Sequence, residues 1–108
     1  MGRAARVRVH PEFDEDGFLR DPYTWNPEMA RHIAAEDGLK PLSDDHWHII
    51  HYMREHFLAH GTLPPMSYVA WVFGMDRDAV DALFHGSREA WRVAGLPNPG
   101  EEARAYMH

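Results

Sequence analysis

Apolar residues recur along this chain with two periods. Arg6-Val7-Arg8-Val9 alternates polar and apolar, the pattern of a short strand with one buried face. Phe13 and the pair Phe18-Leu19 then flank Asp14-Glu15-Asp16-Gly17. Asp-Gly between apolar residues is a strong short-range hairpin signal. The segment 6–19 is therefore predicted to be a β-hairpin. Two strands alone are marginal in water, so it is expected to pack on helices.

After Asp21-Pro22 the period becomes helical. Asn26 is a helix cap, Pro27 suits the first turn, and Met29, Ile33 and Ala34 share a face up to Gly38. Ser43 caps a longer helix, with Asp44 and Asp45 at its positive end and Gly61 as its stop. Its apolar stripe runs through Trp47, Ile50, Met53, Phe57 and Leu58, and Arg54 interrupts it. Pro64-Pro65 makes a rigid turn. A helix over 67–73 ends at Gly74, and Asp76 caps one with Val80, Leu83 and Phe84 apolar, closed by Gly86. Ser87 caps a last short helix carrying Ala90, Trp91 and Val93, stopped by Gly95. Leu96-Pro97-Asn98-Pro99-Gly100 cannot be helical. By helical phase Trp25, Trp47 and Trp71 are core residues. Trp91, just before the Pro-rich arm, is left between core and surface.

With 108 residues the chain has room for one domain, expected over 1–100, with a mobile polar tail over 101–108. Its apolar runs are too short to cross a membrane. The basic start MGRAARVRV has no apolar core segment of a secretory signal. Together with the absence of cysteine, this points to the cytoplasm. That absence also excludes disulfides, thiolate metal sites, a thiol nucleophile and a persulfide carrier. Eleven basic against seventeen acidic residues give −6 with His neutral. Phosphate binding would need a local basic patch, so nucleic acid is not an expected partner.

Three constellations invite chemistry. Ala70, Gly74 and Val80 have the spacing of a helix-turn-helix unit. The helix that would read DNA carries Asp76, Asp78 and Asp81 against one Arg77, which repels phosphates. A structural helix-turn-helix is the simpler reading. His48, His51, Glu55, His56 and His60 recur at i, i+3 and i, i+4 on one helix, spacings that can offer two metal ligands from one face. A site needs three or four convergent ligands and no further one can be placed, so a solvated His-rich face is preferred. Asp14, Glu15, Asp16, Asp44 and Asp45 are explained by turn and cap chemistry. No catalytic set, metal site or cofactor is expected.

The order of motifs FDEDGFLRDPYTWN, LSDDHWHIIHYMREHFLAHGTLPPM and LFHGSREAWRVAGLPNP resembles the DsrC/TusE family of sulfur-relay proteins over 7–99. The specific pieces are Asp16-Gly17-Phe18-Leu19, His46-Trp47, Gly61 with Pro64-Pro65, Leu83-Phe84, and Ala94-Gly95-Leu96-Pro97 with Pro99. The resemblance implies a compact helical bundle with an N-terminal β-hairpin and a helix-turn-helix-like unit. The expected class is thus α+β, mostly α. It also implies a persulfide on a cysteine in a C-terminal arm, just after an AGLPKP-like motif. TusE-type members would pass that sulfur toward tRNA thiolation. DsrC-type members would carry a second cysteine upstream and work with dissimilatory sulfite reductase.

The sequence departs from the pattern at those positions. Without gaps, the carrier position falls on Glu102 and the second-cysteine position on Trp91. Counted from the chain end, the carrier position falls on Met107. None of these residues has an S–H group. The expectation is a non-catalytic family member that acts by protein–protein interaction, as regulator or scaffold in sulfur relay or sulfur oxidation. Its partners would be sulfur-transfer or sulfur-oxidation proteins, met through Trp91, Leu96, Pro97 and Pro99. The alternative is a helix-turn-helix DNA-binding transcriptional regulator.

Overall fold

The structure is a computed structural model that describes residues 12–39, 41–62 and 64–100. Among the described residues, five α-helices follow a 3₁₀ turn at Pro22–Thr24: α1 Pro27–Glu36, α2 Asp44–His60, α3 Met66–Val72, α4 Arg77–Phe84 and α5 Ser87–Val93. Local sequence sets most of the ends. The Asn26 side chain accepts the Met29 N–H at the start of α1. Ser43 and His46 form a reciprocal capping box on α2, which ends where Gly61 adopts φ 72°. The cap of α5 is Gly86 rather than Ser87, which is instead a buried first residue of that helix.

The helices close around α5, which packs on α1, α2 and α4, while α3 packs on α4. Trp91 of α5 is the largest fully buried side chain among the described residues, with Phe18, Phe84, Ile33, Ile49, Ile50, Met53 and Leu96 also fully buried. Burying such side chains contributes about 1.5–3 kcal/mol each relative to exposure. The stripe of α2 is turned slightly from the expected one, with Ile49 and His46 buried and Leu58 exposed. His46 joins two helices, because its Nε2 lies 2.7 Å from the Leu83 carbonyl while its Nδ1 accepts the Ser43 N–H.

The expected N-terminal β-hairpin is not present among the described residues. Its first half, 6–9, lies outside them. Its second half is a turn closed by one isolated antiparallel bridge, Phe13 to Leu19. Asp-Gly served as a turn signal, but no ladder follows it. The Asp14 carboxylate takes the N–H groups of Asp16 and Phe18 itself. Arginines of α5 take the carbonyls of Asp16 and Gly17. Backbone bonds from Asp14 to Phe18, Gly17 to Asp14 and Arg20 to Glu12 close the turn, and these side chains, rather than a longer ladder, satisfy the polar groups left over. The α+β expectation gives way to an all-helical arrangement of the described residues, and the helical-bundle part of it fits.

The tryptophans also differ from expectation. Trp91 is core, at 1% exposure, whereas Trp71 stands 75% exposed on α3. A helix of seven residues has two turns, and either side can carry a short apolar stripe. Val69 and Ala70 took the buried side.

Candidate functional site at the root of the C-terminal arm

The arm begins where α5 stops. Gly95 has φ +70°, which favours glycine, and a Cβ there would come within 2.0 Å of Trp25 Cδ1. The close approach is used: Trp25 Nε1 donates to the Val93 carbonyl at 2.9 Å. Arg54 reaches across from α2. Its Nη1 donates to the Ala94 carbonyl at 2.9 Å and its Nη2 to the Pro22 carbonyl at 3.0 Å. Its guanidinium lies 4.2 Å from the centre of the Trp25 ring. Burial lowers the Arg54 pKa and the nearby Tyr23 opposes this, yet a guanidinium stays protonated in proteins. No carboxylate pairs with it among the described residues. Its charge is met by carbonyl oxygens at the negative end of α5.

The arm itself is fastened on both flanks. Leu96 is fully buried. Trp91 Nε1 donates to the Pro97 carbonyl at 2.7 Å, and the Trp91 ring meets Phe57 edge to face. Pro97 and Pro99 are half-buried. Between them, Asn98 Nδ2 donates to Asp14 Oδ2 at 2.9 Å and to Asp16 Oδ2 at 3.0 Å. The turn receiving Asn98 is held in turn by α5. Arg92 donates to the Gly17 carbonyl and pairs with Asp37, and Arg88 donates to the Asp16 carbonyl. Desolvation pushes the Asp14 carboxyl up, but the Phe18 N–H, the Asn98 amide and the Asp16 N–H outweigh it. The group is held below its ordinary 3.8.

Of the four residues expected to face a partner, Trp91 and Leu96 are buried and Pro97 and Pro99 half-buried. Glu102 and Met107 lie outside the described residues, as does the tail 101–108. Among the described residues no three His, Cys, Asp or Glu side chains converge on a metal position. Individual contacts explain several of the histidines. The His51 ring meets Trp25 and Trp47, and His56 Nδ1 donates to the Thr62 carbonyl. On α4, Arg77 is taken up by Asp81 at 3.5 Å, leaving Asp76 and Asp78 exposed. That face repels a phosphate backbone. Sequence reasoning missed the clamp by Arg54, Arg92 and Asn98. The available signal was an arginine inside an apolar stripe.

The comparisons place this arrangement in a family. The model of the family described as DsrC-like protein matches residues 8–101. The chain belongs to the DsrC-like family. A sulfurtransferase TusE homolog from Haemophilus influenzae is 29% identical over 102 residues, covering 86% of this chain and 93% of that relative. The gamma subunit of a dissimilatory-type sulfite reductase from Nitratidesulfovibrio vulgaris is 31% identical over 90 residues, covering 82% and 86%. The oxidized DsrC gamma subunit from Archaeoglobus fulgidus superposes with a TM-score of 0.76 at 31% identity, covering 84% of this chain and 90% of that one. Within this DsrC-like chain the motifs that carry the resemblance sit at the joints just described: Asp16-Gly17-Phe18 at the turn, His46 between α2 and α4, and Gly95-Leu96-Pro97 at the arm's root. The chain has no cysteine.

Two outcomes follow. Gly95→Ala adds left-handed strain and a clash with Trp25, and should cost about 2–4 kcal/mol in urea unfolding. In the Trp25→Ala background the clash is gone, so the same change should cost markedly less. Additive losses would show that the two residues do not meet.

The second outcome concerns acid. A carboxyl depressed in the folded state stabilises it above the unfolded pKa and loses that contribution as pH falls through the folded value. Stability should therefore decline below about pH 4, the ordinary range of the group. Asp14→Asn should flatten that decline. An unchanged acid limb in the variant would separate Asp14 from the fold's stability.

Proposed function

We propose that this protein is a DsrC/TusE-family member that carries no sulfur itself and acts by contact. It serves as a regulator or scaffold among sulfur-transfer or sulfur-oxidation proteins. The observation that carries this reading is the pairing of a built arm root with a cysteine-free chain. Persulfide carriage needs a thiol, and none is available. On the ungapped correspondence, Glu102 stands at the carrier position and Trp91 at the upstream cysteine position. Trp91 fills the core there and fastens the arm through Pro97. The relatives' names, a sulfurtransferase and a sulfite reductase subunit, indicate the class of partner.

The contact surface in this reading is the arm, with the half-buried Pro97 and Pro99 offered to the partner and the buried Trp91 and Leu96 as anchors. A fastened, proline-restricted segment loses less conformational entropy on docking than a loose one. The DNA-binding alternative has no supporting observation, since α4 offers carboxylates to the solvent.

The test is capture from the native cell with the tagged full-length protein, together with exposure to a persulfide donor. Sulfur-metabolism proteins should co-purify, and deleting 100–108 should weaken their capture while leaving the thermal midpoint nearly intact. The protein's mass should stay unchanged after the donor. A reductant-sensitive gain of one sulfur, or partners without any sulfur connection, would overturn the proposal.

A further inference from the structure

A second surface lies away from the arm. A groove of about 650 Å³ runs between α2 and the start of α3, lined by Tyr52, Glu55, His56, His60, Pro65 and Tyr68. Trp71 extends it, stacked on Tyr68 at 5.8 Å with 26° between the rings. Trp71 is 75% exposed and Tyr68 47%. Two adjacent aromatic rings left in water are the kind of patch that interaction sites use. Desolvation, with Tyr68 beside it, raises the pKa of Tyr52, so that hydroxyl stays neutral. Glu55 forms no ion pair or hydrogen bond among the described residues.

We propose that this groove receives an arginine-bearing segment of a basic partner protein. Aromatic faces attract a guanidinium through their quadrupole, and arginine stacks on them better than lysine does. Glu55 supplies the matching charge, and its carboxylate is not already occupied. The chain's net charge of −6 attracts a basic partner from a distance. Single-stranded nucleic acid also stacks on aromatic rings, but it needs cationic walls to hold its backbone. None of the residues lining this groove is Lys or Arg. No residue of the groove belongs to the arm, so this surface stands whether or not the arm docks a sulfur protein.

The test is a titration of the isotope-labelled full chain with a short alternating Gly-Arg peptide, followed by NMR. Working near pH 8 keeps ordinary imidazoles neutral. The Trp71 indole and the amides around Tyr68 and Glu55 should shift. The matched Gly-citrulline peptide, neutral but of the same shape, should shift them little. Glu55→Gln and Trp71→Ala should each weaken binding about three-fold, the size expected of one exposed ion pair or cation–π contact. Both side chains are exposed, and the same spectra report whether each variant keeps its fold. Equal binding of the citrulline peptide would overturn the proposal. So would shifts confined to Asp76, Asp78 and Asp81, or the same shifts produced by oligouridylate.

Discussion

A single guanidinium joins parts of the chain that are otherwise remote in sequence. Arg54 leaves the middle of α2, slides over the Trp25 ring and ends on carbonyls of Pro22 and Ala94. A half-buried cation without a carboxylate is costly unless hydrogen bonds replace its water. Here they come from the 3₁₀ turn and from the end of α5, whose dipole is negative at that point. Hydrogen bonds to a charged donor are worth about 1.5–3 kcal/mol each. Trp25 is bound into the same joint by its own bond to Val93. Gly95 is the residue that lets the ring come this close. The direction in which the arm leaves the bundle follows from this joint.

A second layer fixes where the arm then lies. Asn98 bonds to two aspartates of the 14–18 turn, and α5 arginines bond to carbonyls of the same turn. The N-terminal turn and the C-terminal arm therefore order one another. This DsrC-like chain thus keeps an ordered arm root up to Gly100 while having no cysteine.

Much of this was legible in the sequence, and the failures have identifiable causes. Asn26, Ser43 and Gly61 marked helix ends because cap chemistry is local. Motif order marked the family. The Asp-Gly signal between Phe13 and Phe18 marked a turn but not what closes it. An Asx-type turn with one bridge and a full hairpin share that signal, and the difference lies in α5 residues 72 and 75 positions away. Trp71 was misjudged because a two-turn helix gives too few positions to fix its buried side. Arg54 stood out as an exception to its stripe, but its carbonyl partners lie on two other segments and no pattern within α2 reveals them.

The central claim is that Arg54 holds the arm's root onto the bundle. Native-state hydrogen exchange measures this directly through the amides of Ala94, Gly95 and Leu96, which donate to Ala90, Arg92 and Trp91. In Arg54→Met those three amides should exchange roughly ten-fold faster or more, given the strength of charge-assisted bonds. The amides of Val69 and Val80, which donate within the α3–α4 pair to Pro65 and Asp76, should change far less. Unchanged protection at Gly95 and Leu96, or an equal loss at all five amides, would contradict a local clamp.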